Sequence, residues 1–170
     1  TSNMSKQVFS LLVDNQAGVL SRVSGLFSRR GYNIDSLTVG ETENPAFSRI
    51  TVVASGDADA LEQIEKQLGK LIDVVKIQVL PADASVAREL ILIKVGATAE
   101  ERPQVIAIAD IFRAKIVDVS DQSMMIELTG NQAKLEAFIG LLGKFRIIEL
   151  ARTGITGLSR GSFDSVQMMP

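Results

Sequence analysis

Two short motifs organise this chain: Asp14-Asn15-Gln16-Ala17-Gly18-Val19-Leu20 and, about one helix length later, Gly31-Tyr32-Asn33-Ile34. The apolar run 8–13 before the first motif predicts a strand. The amphipathic run after it predicts a helix, with one face formed by Val19, Leu20, Val23, Leu26 and Phe27. The turn between them therefore lies at a helix amino terminus, where the first N–H groups lack intrahelical acceptors and the helix dipole is positive. Such a turn can bind a carboxylate.

The same residues also fit a purely structural role. In that interpretation Asn15 or Gln16 caps the helix, and Gly18 allows the turn to close. On local pattern alone this structural role is the favoured one, so the motif by itself leaves both interpretations open.

The first half of the chain continues with further predicted elements. The predicted strands are 33–39, 48–54 and 74–80, and the polar residues 41–45 predict a hairpin loop between the first two. In 48–54 the apolar residues Ile50, Val52 and Ala54 share one face. Asp57 is a candidate N-cap for a helix whose buried stripe consists of Leu61, Ile64, Leu68 and Leu71.

The second half repeats this order after a small, polar segment, 81–85, which predicts a linker. Its predicted strands are 90–95, 116–119, 124–129 and 145–151. Thr98 and Glu101 have the spacing of a capping box, yet Pro103 would then lie inside the helix, so we expect that helix to begin near Pro103. The spacing of Thr129 and Gln132 predicts a capping box for the next helix, and Gly143 suits the carboxyl end of that helix. The predicted apolar face of the first helix of this half consists of Val105, Ile108, Ala109 and Phe112, and that of the second consists of Leu135, Phe138, Ile139 and Leu142.

Two βαββαβ halves predict an α+β fold with two ferredoxin-like domains in tandem. Each is expected to form a four-stranded antiparallel sheet with its helices on one face. The predicted boundaries are 4–80 for the first domain, 81–85 for the linker, 86–161 for the second domain and 162–170 for a tail. The helix-free face or sheet edge of the first half needs a cover, and a dimer is the simplest one.

The composition restricts the chemistry. Among 170 residues there is neither Cys nor His, and the net charge is −2. Thiolate nucleophiles, disulfides and Cys/His metal sites are thereby excluded. An enzyme is disfavoured, although carboxylates and lysines could still support chemistry, and our predicted site contains no catalytic residue and no metal. Glu62 and Glu65 share a helix face, but nearby Lys66 favours a solvated charged surface there.

Nucleic acid is a poor candidate partner. The longest basic run is Arg29-Arg30, which with Arg22 forms at most a small patch. The first and third strands of the first half contain only Phe9 as an aromatic residue, so they lack the stacking surface of an RNA-binding sheet.

The chain also lacks an apolar run of the roughly 20 residues that a membrane span needs, and it shows no signal pattern, so we expect a cytoplasmic protein without a membrane partner. Thr1-Ser2-Asn3 before Met4 is interpreted as a remnant of the expression system.

Several blocks resemble one known family, the regulatory small subunit of acetolactate synthase, also called acetohydroxyacid synthase. They are LVDNQAGVLSRV (12–23), GLFSRRGYNIDSLTV (25–39), LEQIEKQL (61–68), REL (88–90), IFRAKIVDV (111–119) and ELARTGITGLSRG (149–161). The first two blocks are the most specific, 97–107 is loose, and 163–170 adds little. The resemblance covers almost the whole chain after Met4.

The resemblance implies an ACT domain at about 4–80 and a non-catalytic role in branched-chain amino acid biosynthesis. It implies a homodimer joined through ACT domains, activation of a catalytic large subunit, and feedback inhibition by valine. Thiamine diphosphate, magnesium and flavin are expected on the large subunit and no cofactor on this chain. A stand-alone amino-acid sensor controlling another enzyme is the alternative, and an RNA-binding module is a more remote one.

The resemblance also implies which residues contact valine. Asn15, Gly18, Val19 and Leu20 come from one protomer, and Asn33 and Ile34 come from the facing protomer. With the resemblance added, ligand contact becomes the favoured role of the two asparagines. We expect the N–H groups of 18–20 to bind the carboxylate, the amides to bind the zwitterion, and the apolar residues to enclose the side chain.

Overall fold

A computed structural model describes residues 4–161. The predicted remnant at 1–3 and the predicted tail at 162–170 lie outside the described residues. Contacts between residues group 4–87 and 155–161 into one unit and 88–154 into a second. The predicted boundaries place 155–161 with the second domain, whereas these contacts place that segment with the first unit.

The first unit contains the predicted βαββαβ order. Its elements are β1 (Ser5–Asp14), α1 (Val19–Arg30), β2 (Asn33–Glu41), β3 (Phe47–Gly56), α2 (Ala58–Gly69) and β4 (Val74–Leu80). The sheet is antiparallel with the order β2-β3-β1-β4, so the two long strands are central, as the crossover rule requires. Residues 42–46 connect β2 to β3, which confirms the hairpin predicted at 41–45 with a shift of one residue.

The second half repeats this plan and adds one strand. After a short 3-10 helix (Ala82–Ala84) come β5 (Ser85–Gly96), α3 (Arg102–Ile111), β6 (Lys115–Val119), β7 (Ser123–Gly130), α4 (Gln132–Leu142), β8 (Arg146–Arg152) and β9 (Thr156–Ser159). The strand order is β6-β7-β5-β8, and β9 pairs with β5. The tandem ferredoxin-like fold is confirmed, but this sheet has five strands where four are expected.

Helices and sheet enclose an apolar core on the helix-facing side of each sheet. In the first unit the face of α1 buries Val19, Val23, Leu26 and Phe27 against β1, β3 and α2. The prediction that Leu20 shares this face with the other four residues is wrong, because Leu20 is 44% exposed. In the second unit the predicted helix stripes are buried or partly buried in the core, with Phe112 lying one residue beyond the end of α3.

The helix-free face of the first sheet is not an open surface. Thr51 and Val53, which alternate with the core residues of β3, are only 1% and 3% exposed, and Leu12 of β1 is fully buried. Part of the cover is the chain's own carboxyl-terminal segment. The Ile155 N–H donates to Ser36 Oγ at 2.7 Å, and Thr38 Oγ1 donates to the Ile155 carbonyl at 3.1 Å. A dimer is therefore not needed to cover this part of the sheet.

The helix termini confirm some predictions and correct others. Asp57 caps α2, since its carboxylate accepts from the Ala60 N–H at 2.8 Å. The predicted Thr129–Gln132 capping box is wrong, because Asn131 caps α4 by accepting from the Lys134 N–H at 2.9 Å. Gly143 does lie at the carboxyl cap of α4.

The amino end of α3 resolves the conflict between a capping box and Pro103. The helix begins at Arg102 and has Pro103 in its first turn, as expected. Thr98 and Glu101 nevertheless form the reciprocal pair just before it: Glu101 Oε1 accepts from the Thr98 N–H at 3.0 Å, and Thr98 Oγ1 accepts from the Glu101 N–H at 3.3 Å.

The longest helices have 12 residues, so within 4–161 none has the length and apolar character that a membrane-crossing helix requires.

Candidate effector site

The turn between β1 and α1 is held by the hairpin loop that joins β2 to β3. Asn15 Nδ2 donates to the Pro45 carbonyl at 2.9 Å, and the Asn15 N–H donates to the Ala46 carbonyl at 2.9 Å. The N-cap of α1 is Gly18, which has no side chain to offer to the first N–H groups. Asn15 therefore braces the turn instead of capping the helix, and the structural role considered for it is corrected accordingly.

Gly18 is required at its position by backbone geometry. Its φ of +90° lies in the left-handed region that residues with a Cβ rarely adopt. The carbon atom that any other residue would add at this position lies 3.0 Å from Arg22 Nη1. The guanidinium group thus lies beside the turn, one helical turn after the glycine.

Arg22 and Asp73 form a pair beside this turn that the sequence analysis missed. Arg22 Nε donates to Asp73 Oδ2, and the backbone carbonyl of Asp73 accepts from the Asp14 N–H at 3.0 Å. The hydrogen bond to Asp73 raises the pKa of Arg22, so this group stays charged. The sequence signal was a cation four residues after Gly18, but its partner is 51 residues away and could not be found by spacing.

The second motif lies at the start of β2. Asn33 is exposed, and its Nδ2 donates to Asp35 Oδ1 at 2.7 Å. Asp35 also accepts from Ser55 Oγ on the neighbouring strand. The register of β2 against β3 shifts between Ile34 and Ser36, which marks a bulge at Asp35. Ile34 is half-buried and packs against the helix-facing core.

The structure does not bring the two motifs together within one chain. They lie at opposite ends of α1, whose 12 residues span about 18 Å. The sheet register also separates the two motifs, because Asp14 pairs with Phe47 at the start of β3, whereas Asn33 pairs with Ser55 at the other end of that strand. One copy of the chain therefore cannot form a single pocket from all six predicted residues; we call its two ends, at Gly18 and at Asn33, the predicted half-sites.

The two apolar residues at the start of α1 differ in orientation. Val19 is 3% exposed and belongs to the unit's core, and its backbone N–H donates to the Gln16 carbonyl at 3.5 Å. Leu20, next to it, presents an exposed side chain. Of this pair, only Leu20 can enclose a ligand side chain without repacking the core.

The other candidate sites have structural explanations. Lys66 pairs with Glu62 at 3.1 Å across one turn of α2, with both side chains more than half exposed, as expected for a solvated helix surface. Arg22 is engaged by Asp73, and Arg30 Nη2 donates to Gln67 at 3.4 Å, so two of the three arginines of α1 have partners within the chain. No cluster of acidic side chains suited to a metal occurs within 4–161.

Family models match both halves of the chain. Residues 9–76 match the acetohydroxyacid synthase small subunit-like ACT domain, and residues 88–161 match the small subunit of acetolactate synthase. The chain belongs to the acetolactate synthase small-subunit family. It is thus a regulatory subunit by family, and the family implies a large subunit as its partner.

Individual relatives agree with this assignment. The chain is 53% identical to the probable acetolactate synthase small subunit of Methanothermobacter thermautotrophicus, over 91% of this chain and 93% of that protein. It is 46% identical to the isozyme 3 small subunit of Escherichia coli, over 92% and 96%. The crystal structure of the acetolactate synthase small subunit from Thermotoga maritima superposes with a TM-score of 0.85 at 44% identity, covering 93% of this chain and 99% of that one.

Proposed function

We propose that this chain activates the catalytic large subunit of acetolactate synthase and makes it subject to feedback inhibition by valine. In this proposal the small subunit has no catalytic residue. Thiamine diphosphate, magnesium and flavin belong to the large subunit. Membership of the small-subunit family supports the pairing with a large subunit.

The observation that carries the valine site is the separation of the two half-sites along α1. A two-fold axis that sets two α1 helices antiparallel places the Gly18 end of each helix against the Asn33 end of the other. Two equivalent crevices result, each with an exposed asparagine from both protomers. This arrangement includes every predicted residue, although the two motifs of each chain stay about 18 Å apart along α1.

Each part of valine has a matching group in such a crevice. The N–H groups after Gly18 bind the carboxylate, since they lie at the positive end of the helix dipole. The amides of Asn15 and Asn33 offer donors and acceptors to the zwitterion without adding a net charge. Leu20 and Ile34 enclose the side chain. Burying two more methyl-sized groups favours valine over alanine by about 1.6 kcal/mol.

Reconstitution with a purified large subunit tests this function. We expect the small subunit to raise acetolactate synthase activity, and valine to reduce that activity again. Ultracentrifugation should detect a dimer of the small subunit, and calorimetry should give one valine per half-site pair. If the large subunit is equally active and equally valine-resistant with and without this chain, the proposed function is wrong.

Leu20→Ala tests the wall of the crevice. Removing the isobutyl contact should weaken valine binding by about 1–2 kcal/mol, or roughly tenfold, while the unfolding free energy changes little because Leu20 is 44% exposed. Ile111→Ala is the matched control, since Ile111 is 75% exposed and lies in the second unit. Equal valine affinity in both variants would remove Leu20 from the site.

A further inference from the structure

The segment after β8 is hydrogen-bonded to the strand that begins with Asn33. Ile155 forms two hydrogen bonds with β2: its N–H donates to Ser36 Oγ at 2.7 Å, and its carbonyl accepts from Thr38 Oγ1 at 3.1 Å. We call this arrangement of Ser36, Thr38 and Ile155 the clasp. Both hydroxyls lie on the helix-free face of the sheet, and both bonds join residues more than 110 positions apart.

The residues just before the clasp are fixed to the second unit. The Thr153 N–H donates to the Leu90 carbonyl at 3.1 Å, and Thr153 Oγ1 accepts from the Leu90 N–H at 3.1 Å. One residue earlier, Arg152 Nη2 donates to the buried Glu89 at 2.6 Å. Gly154, with a φ of +91°, is the only residue between the last bond to the second unit and the first bond to β2.

The clasp is also close along the chain to one half-site. Asn33 donates to Asp35 at the bulge of β2, and Ser36 follows immediately. A bulge is a point at which a strand can change its course, so a ligand that repositions Asn33 acts directly on the segment that holds Ile155. A continuous series of hydrogen bonds and covalent links thus runs from Asn33 to Leu90, the kind of physical connection through which coupling between sites can pass.

We propose that the clasp transmits valine occupancy at the start of β2 to the second unit, with Ser36 and Thr38 as positioning residues for the regulatory response. This inference rests on the proposed function and specifies how its signal leaves the valine site. Neither hydroxyl contacts the effector. Their removal therefore separates valine binding from valine inhibition.

The test uses Ser36→Ala and Thr38→Val in the reconstituted holoenzyme. Loss of one hydrogen bond shifts an equilibrium about fivefold, so each variant should raise the half-inhibitory valine concentration about fivefold, and the double variant by more. The dissociation constant of the free small subunit for valine should stay within about twofold. A purely structural role would change both quantities together or neither.

Thr51→Val is the matched control. Thr51 pairs with Thr38 across β2 and β3, lies on the same face and is 1% exposed. Its hydroxyl has no hydrogen-bond partner among the described residues, so the same isosteric change removes no bond. We expect the holoenzyme with Thr51→Val to have the same half-inhibitory valine concentration as the wild type.

Hydrogen exchange on the wild-type protein gives a readout that needs no variant. Valine should slow exchange of the Ile155 amide, which donates to Ser36. Unchanged exchange overturns the relay, and so does wild-type inhibition in both clasp variants, or an equal shift in Thr51→Val. In each of these cases valine still inhibits the wild type and the proposed function stands. A wild-type holoenzyme that valine does not inhibit overturns the proposed function and the relay with it.

Discussion

Replacing Gly18 by aspartate is the sharpest test of the valine site. At a φ of +90° a side chain costs about 1–2 kcal/mol of strain, although Asp and Asn tolerate this region better than other residues. The new carboxylate lies where we place the carboxylate of the ligand. Two such charges about 4 Å apart near a protein surface repel by up to about 4 kcal/mol, close to a thousandfold in affinity, and the neighbouring Arg22 guanidinium offsets part of this repulsion.

Gly18→Asn isolates the charge, because it has the same shape and the same backbone strain. Both variants place an atom about 3.0 Å from Arg22 Nη1, so both displace that guanidinium group. We expect Gly18→Asn to retain measurable valine binding at reduced affinity and Gly18→Asp to lose it. Folding should not explain the difference, since a carboxylate at a helix amino terminus adds about 0.3–1 kcal/mol of stability.

Gly161→Asp controls for an added charge and an added strain elsewhere. Gly161 has a φ of +79°, and no described atom lies within 4 Å of the position that its side chain would occupy. Calorimetry with valine and urea denaturation on all three variants gives affinity and stability separately. Large-subunit activation should survive in each. Equal valine affinity in Gly18→Asp and Gly18→Asn would refute the placement of the carboxylate.

Two further predictions concern stability. Asn131→Ala should lower the unfolding free energy by about 1 kcal/mol in urea denaturation, whereas Thr129→Ala should change it little, because Asn131 is the cap of α4. Glu89→Ala should cost about 1–2 kcal/mol and Glu136→Ala less than about 0.5 kcal/mol, since Arg152 is bound by both but only Glu89 is buried. The hydrogen bond to Glu89 raises the pKa of Arg152, so the contribution of this pair to the unfolding free energy is present at lower pH and is lost only in strong alkali. Urea denaturation at about pH 6 and at about pH 9 should therefore give the same loss of unfolding free energy for Glu89→Ala.

Hydrophobic periodicity was sufficient to predict the two βαββαβ halves, because most of their elements have a clear apolar period. Val19, Val23, Leu26 and Phe27 follow a helical spacing and are all buried. The spacing of Leu20 in the sequence also fits an apolar stripe, but its side chain lies about 100° around the helix from Val19 and faces outward. The period of apolar residues shows which side of a helix is buried, but it does not show how wide a strip of that side the rest of the protein covers.

Features that depend on distant pairing could not be predicted. The strand Thr156–Ser159 has no alternation of its own and exists because it pairs with β5. Burial of Thr51 likewise requires knowing that the helix-free face is covered. For Asn15 the sequence left two roles open, helix cap and ligand contact. The structure adds a third, because the Asn15 amide donates to the carbonyl of Pro45, which lies 30 residues later in the chain. The six predicted valine contacts stay a prediction.

The amino ends of the four described α-helices differ in a way that bears on ligand binding. Asp57 and Asn131 cap α2 and α4 with side-chain oxygens, and the pair Thr98–Glu101 satisfies the turn before α3. The helix that starts after Gly18 has no side-chain cap. A carboxylate bound there supplies the missing acceptor, so part of its binding free energy is helix capping, on the order of 1 kcal/mol. Valine should therefore slow hydrogen exchange in the first turn of α1 more than in the first turns of the three other described helices.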